Sequence, residues 1–274
     1  MAMKLGLYLR NMGDASAPDT VRDCALGAEA AGLDDLWLAD HIAIPPDDAE
    51  GSNGRYLDPL ATLAWLAGLT ERIHLGTGVL VLPYRPALPT AKWVATIQEL
   101  SGGRMLFGVG AGWMEAEFRA VGVPRNRRGA VTDETLSFIA SCFDNDEVES
   151  NGQPLLFRPR PAAPPLFVGG NSPKALERAV RFGGGWMPMG SDPAKLAGQV
   201  ETFRRDSAAA GHPDPEVALI TGLELGDTAQ ALDQLAGFAA VGVTRVVHAQ
   251  RYSDAAVFVA AAEALVDAGS RLAG

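Results

Sequence analysis

The sequence predicts a (β/α)8 TIM barrel: a single α/β domain over residues 1–274, with insertions at its C-terminal mouth. Three observations lead there. Strand-like and helix-like segments alternate in eight units of about 34 residues, the usual size of such a repeat. Its third strand reads as a near-continuous apolar run, as parallel strands covered on both faces do. No low-complexity tract, charge run or long linker divides the chain. A doubly wound open sheet is the competitor; eight units without a second domain favour the barrel.

Lys4–Leu9 is strand-like, and an amphipathic helix over Pro18–Gly32 begins with proline and ends with glycine, as helix ends do. Asp35–Ala39 is the second strand, followed directly by Asp40 and His41. A loop with Pro45, Pro46, Gly51 and Gly54 leads to a helix at Asp58–Thr70. The third strand is Arg72–Arg85, RIHLGTGVLVLPYR. Alternation places His74, Gly76, Gly78 and Leu80 on one face. Its two glycines leave room for a flat ligand or mark close packing.

A helix follows at Pro89–Ser101, then a Gly102-Gly103 turn, a strand at Arg104–Gly110, and helices at Met114–Val121 and Arg128–Phe143. Asp144–Pro164 is irregular and proline-rich. The remaining units pair Pro165–Gly169 with Pro173–Phe182, Gly185–Met189 with Pro193–Ala210, Glu216–Leu225 with Thr228–Val241, and Thr244–His248 with Asp254–Arg271.

The formal net charge of −10 argues against nucleic acid or an anionic membrane as partner. No apolar stretch reaches the roughly 20 residues of a membrane-spanning helix, and the start MAMKLGLYLR is too short for a signal peptide. Cys24 and Cys142 lie far apart and lack metal spacing, which suggests buried thiols in a reduced cytoplasm. No histidine pair has metal-ligand spacing, and no G-x-S-x-G elbow occurs.

A barrel carries its chemistry on the loops after its strands. Those loops hold Arg10 and Asn11, Asp40 and His41, Tyr84 and Arg85, Gly110–Trp113, Gly169–Pro173, Met189 and Gly190, Glu224, and His248, Gln250, Arg251 and Tyr252. In Gly169–Pro173, Ser172 suits an N-cap and Pro173 the first helical position. The turn is either an ordinary cap or an anion site on a helix N-terminus. Gly108-Val-Gly110-Ala-Gly112-Trp113 looks like a dinucleotide fingerprint, but Trp113 fills its last small position and no acidic residue follows at the required distance. This speaks against a classical NAD fold and leaves close approach of a ligand to that backbone open. His41 is a proton donor, a hydrogen-bond donor to a ring carbonyl, or a tie for its own loop. His74 and His212 read as structural.

Several segments together resemble the luciferase-like monooxygenase superfamily, in its branch of coenzyme F420-dependent oxidoreductases. They are Ala30-Ala-Gly-Leu-Asp-Asp-Leu-Trp-Leu-Ala-Asp-His41, Arg72–Arg85, Leu100-Ser-Gly-Gly-Arg104, Phe107-Gly-Val-Gly-Ala-Gly-Trp113, Pro164-Pro-Leu-Phe-Val-Gly-Gly-Asn-Ser-Pro173 and Gly183-Gly-Gly-Trp186. The resemblance implies a deazaflavin or flavin in the mouth, with a non-proline cis peptide at Gly78–Val79 behind its ring. It places the cofactor phosphate on Gly170, Asn171 and Ser172. Asp40 and His41 match a pair that contacts the ring, with His41 as proton donor, and Gly110 and Trp113 join the cofactor-binding set.

One departure bears on substrate. Sugar-phosphate dehydrogenases of this kind place a glutamate proton acceptor where Trp113 stands, so an apolar wall points to a hydrophobic substrate. Trp113 stacks on a ring or simply packs. A second departure is Val81, where some relatives carry a hydroxyl. The expected function is hydride transfer between coenzyme F420 and a small hydrophobic organic molecule, with no metal. The alternatives are an FMN-dependent monooxygenase served by a flavin reductase and oxygen, and a cofactor-binding barrel without turnover. The resemblance also implies a homodimer packed through the helices after strands two and three.

Overall fold

Residues 3–49 and 51–272 are described by a computed structural model. The strands are β1 (Lys4–Tyr8), β2 (Asp35–Leu38), β3 (His74–Thr77), β4 (Leu80–Val81), β5 (Met105–Gly110), β6 (Glu147–Ser150), β7 (Gln153–Leu156), β8 (Leu166–Gly169), β9 (Gly185–Met187), β10 (Ala218–Thr221) and β11 (Arg245–His248). Parallel pairing runs β10-β11-β1-β2-β3-β5-β8-β9, with β4 on β5. Bridges Trp186–Val217 and Met189–Ile220 join the two ends, so the sheet closes into an eight-position barrel.

The helices are α1 (Pro18–Ala31), α2 (Pro59–Ala67), α3 (Ala87–Leu100), α4 (Glu115–Ala120), α5 (Arg128–Asp144), α6 (Pro173–Arg181), α7 (Pro193–Ala209), α8 (Thr228–Ala240) and α9 (Ala255–Leu272). Their starts follow the chain's punctuation. The Asp58, Ser172, Asp192 and Asp227 side chains accept first-turn N–H groups, and proline begins α1, α2, α6 and α7.

Strand alternation divides the core in two. Leu5, Leu7, Leu36, Leu38, Leu75 and Val246 point outward to the helices. Trp37, Leu106, Phe167, Met187 and Val247 fill the barrel interior. Below them, the buried Asp35 accepts hydrogen bonds from the Trp37 indole and the Arg245 guanidinium. Arg245 also pairs with Glu216 at 3.0 Å. Burying such charges is tolerable because they are paired and hydrogen-bonded.

Three expectations need correction. The third strand is not continuous: it breaks at the cis Gly78–Val79 bond and resumes as β4. Val79 packs with the barrel interior, whereas Leu80 joins the outer core instead of sharing the Gly76 face. A bulge of this kind shifts alternation by one residue. Nor does the glycine gap at Gly76 serve a ligand. A Cβ there would lie 2.5 Å from the Trp37 indole, which fills the space. The segment Asp144–Pro164, expected to be irregular, contains the antiparallel hairpin β6–β7. Its turn is Asn151-Gly152, both at positive φ, as a two-residue hairpin turn requires.

Candidate active site

A cavity of about 1050 Å³ opens at the C-terminal mouth, at the upper end of the size usual for ligand sites. Its floor is built around Val79. The Tyr8 hydroxyl donates to the Gly78 carbonyl, and the Gly78 N–H donates to Leu38 O at 2.8 Å. On the far side, Val81 N donates to the Asp40 carboxylate at 2.8 Å. The bulge is therefore held before and after Val79. A Cβ on Gly110 would lie 2.6 Å from one Val79 methyl, and a Cβ on Gly169 would lie 2.6 Å from the other. The glycines that end β5 and β8 are thus a seat for this one side chain.

Asp40 borders the cavity, but its carboxylate is committed elsewhere. Arg85 grips both of its oxygens, at 2.5 and 2.8 Å, and also reaches Asp58 at 2.8 Å. Burial pulls the Arg85 guanidinium down, but the two carboxylates outweigh it and hold the group above its ordinary value. Asp40 acts mainly on the bulge, through Val81, rather than through a free oxygen.

His41 lines the cavity, and its Nδ1 lies 2.8 Å from Glu117 Oε2. Glu117, on α4, is almost completely buried. Its Oε1 accepts from the N–H groups of Ile42 and Ala43, at 2.6 and 3.2 Å. Its Oε2 also accepts the Tyr84 hydroxyl at 3.0 Å. Burial pushes the Glu117 carboxyl up, but the His41, Ile42 and Tyr84 hydrogen bonds outweigh it and hold the group below the usual carboxylate range. The Tyr84 hydroxyl is pushed up by burial and by Glu117, so it stays a donor. Rings surround His41 as well. Tyr56 lies 4.9 Å away between centroids, and Trp113 stands edge-on at 6.2 Å. The Trp113 indole is 65% exposed, and Ile42 and Met189 are exposed nearby in the chain's mouth loops.

The α6 end is polar. The Ser172 hydroxyl caps α6 by accepting Ala175 N. Asn171 exchanges two side-chain hydrogen bonds with the backbone of Met189. The Gly170 N–H donates to Met187 O, so Gly170 contributes its backbone shape rather than a free donor. The N–H groups of Asn171, Ser172 and Lys174 find no acceptor among the described residues. Three free amides at a helix N-terminus are a donor set suited to a phosphate. Arg128, Lys174, Arg178 and Arg181 line the same end. Asp133 pairs with both Arg178 and Arg181, whereas Lys174 and Arg128 have no carboxylate partner among the described residues.

The expected residues Asp40, His41, Gly78, Val79, Gly110, Trp113, Gly170, Asn171 and Ser172 all line one cavity. His248 does not. It is buried beside the outer core, accepting Leu223 N at Nδ1 and meeting Gln250 at Nε2. Sequence reasoning passed over Glu117, Tyr8 and the cations. Tyr8 was recoverable, since alternation in β1 puts it inward with Gly6. Glu117 sits beside Phe118 on the buried side of α4, a position where a carboxylate needs a partner. No group of three or more His, Cys, Asp or Glu among the described residues could hold a metal ion. No helix there is long and apolar enough to cross a membrane.

Residues 3–270 match the family described as luciferase-like monooxygenase. An F420-dependent glucose-6-phosphate dehydrogenase of Kineococcus radiotolerans is 29% identical over 258 residues, covering 88% of this chain and 74% of that one. Among solved structures, an F420-dependent secondary alcohol dehydrogenase in complex with an F420-acetone adduct has a TM-score of 0.80 at 16% identity, over 98% of this chain and 99% of that one. The FMN-bound oxygenating constituent of 3,6-diketocamphane monooxygenase from Pseudomonas putida reaches 0.67 at 19% identity, over 81% and 67%. At such identities the structural likeness speaks to the fold.

Proposed function

The chain belongs to the luciferase-like monooxygenase family, and on that premise we propose that it is an oxidoreductase moving a hydride between coenzyme F420 and a small hydrophobic organic substrate. The observation that carries this reading is the Val79 floor, seated between Gly110 and Gly169, in one cavity with His41 and with the free amides of Asn171, Ser172 and Lys174. Gly78 and Val79 would hold a flat ring system, and the α6 amides its phosphate. A bound deazaflavin would supply the two-electron chemistry. The chain supplies orientation, apolar side chains at the mouth, and a proton-transfer atom at His41 Nε2.

The dehydrogenase relative at 29% identity favours F420 over FMN. Trp113, Ile42 and Met189, all exposed at the mouth, favour an uncharged substrate. Among the described residues the carboxylate bonded to His41 is Glu117, whose oxygens are occupied by the Ile42 and Ala43 N–H groups, the Tyr84 hydroxyl and His41 Nδ1, and it is not free to accept a proton from a substrate hydroxyl. Reduction of a carbonyl or activated double bond is therefore the favoured direction. We place the enzyme in the cytoplasm, on its two buried unpaired cysteines. We also propose a homodimer through α2 and α3, where Trp65 of α2, Leu69 in the turn after it, and Trp93 and Leu100 of α3 are all exposed.

The test is a paired fluorescence titration of apoprotein with coenzyme F420 and with FMN. Micromolar or tighter F420 binding with much weaker FMN, followed by oxidation of reduced F420 with uncharged ketones or enones, is the expected result. The reverse preference moves the protein to the FMN-dependent monooxygenases with a reductase partner. Binding of neither removes both.

A further inference from the structure

Glu117 is buried, carries no lysine or arginine partner among the described residues, and has all of its acceptor capacity in use. Three of its hydrogen-bond partners among the described residues are donors, two backbone N–H groups and a phenol, and the fourth is an imidazole nitrogen. An ionised carboxylate offers about four lone-pair sites and no proton, so the arrangement suits the charged form alone. His41 Nδ1 must then carry a hydrogen. His41 Nε2 makes no hydrogen bond among the described residues, and the ring borders the cavity.

We propose that Glu117 is a positioning residue that fixes the His41 tautomer, placing the hydrogen on Nδ1 so that Nε2 is the proton-transfer atom of the site. This rests on His41 being the proton-transfer group of the reading above. Which ring nitrogen bears hydrogen is set by the partner of the other one. The same carboxylate binds the N–H groups of Ile42 and Ala43, so ring and loop are held by one anchor. When Nε2 holds a proton, the ring is cationic and lies beside a buried negative charge. Glu117 stabilises that cation without itself taking the proton, as the acid of a catalytic triad does. Among the described residues the other rings facing it are the Tyr56 and Trp113 side chains; Tyr84 acts through Glu117, and Asp40 is tied to Arg85.

The isosteric variant Glu117→Gln tests this. Its amide oxygen must serve the Ile42 and Ala43 N–H groups, which leaves its NH2 facing His41 Nδ1. Nδ1 then becomes an acceptor and the hydrogen moves to Nε2. Long-range proton–nitrogen correlation spectra of the apoprotein distinguish the two tautomers. They would be recorded at about pH 8.5, above the ordinary histidine range, with His41 assigned by its loss in His41→Ala. The expected result is an Nδ1–H pattern in the wild type and an Nε2–H pattern in Glu117→Gln. With reduced F420, kcat should fall about 10²–10⁴-fold and KM change less than about threefold, the signature of a wrong tautomer. Tyr84→Phe keeps the Glu117 charge and the His41 bond, so it must retain the Nδ1–H pattern even where Glu117→Gln fails to fold. An Nε2–H pattern in the wild type or in Tyr84→Phe, or an unchanged pattern in Glu117→Gln, overturns the proposal. A tautomer switch in a protein that oxidises no reduced F420 leaves the positioning intact and removes the hydride-transfer reading instead.

Discussion

Glu117 Oε2 lies 2.8 Å from His41 Nδ1, across 76 positions of sequence. That bond holds the ring through Nδ1 and leaves Nε2 without a hydrogen-bond partner among the described residues. Replacing His41 by Ala should therefore cost turnover rather than binding. We expect kcat to fall about 10²-fold or more, the usual worth of a positioned acid–base group, with cofactor affinity changed less than about threefold. Equal losses in both would make His41 a binding group only.

Val79 and its glycine seat give a second prediction. In Gly169→Ala the new Cβ would lie 2.6 Å from a Val79 methyl, so the isopropyl group must move toward the cavity. Overpacking of this kind costs about 1–3 kcal/mol. Cofactor affinity should drop about tenfold or more while the melting curve stays cooperative. A protein that melts earlier yet binds with wild-type affinity would show that Val79 is not part of the floor.

Among the described residues, Arg85 is the sole cation on the buried Asp40 carboxylate. Arg85→Ala leaves that carboxylate uncompensated, at a cost of about 3–5 kcal/mol. Arg85→Lys should recover only part of it, because a point charge cannot span Asp40 and Asp58 as the guanidinium fork does. Urea denaturation of the three proteins checks this, and a loss below about 1 kcal/mol in Arg85→Ala would refute it.

His248 makes stability depend on pH. Burial holds its imidazole below the ordinary histidine value. Between the lowered folded value and the unfolded one near 6.5, the unfolded chain binds a proton that the folded chain does not. Stability from this group is thus complete above about pH 6.5 and is lost as pH falls toward the folded value, by up to about 1.4 kcal/mol per pH unit. Protonation would also set an N–H against the Leu223 N–H that Nδ1 now accepts. His248→Asn, which keeps an acceptor and cannot titrate, should flatten the fall between pH 7 and pH 5 in denaturation midpoints (values chosen to bracket the ordinary histidine range, about 6.5).

The barrel was legible in the residues because its causes are local. Apolar periodicity, proline at helix starts, glycine at the α1 end and side-chain caps act within a few positions, and each unit carries its own copy. The parallel closure followed from repetition. The capped turn at Ser172 was legible as a cap signal, and the cis bond at Gly78–Val79 followed from family likeness alone. Only the tertiary structure decided which groups meet. Glu117 reaches His41, Arg85 reaches Asp40 across 45 positions, and Gly110 and Gly169 enclose Val79 from two strands. It also reassigned the Gly76 gap to Trp37 and turned His248 away from the mouth. Spacing within one element fixes a side chain's face, but no spacing carries the phase of one strand or helix across a loop to the next. That phase is set by how the closed sheet and its helices pack, and in this protein it brings the Glu117 carboxylate to His41.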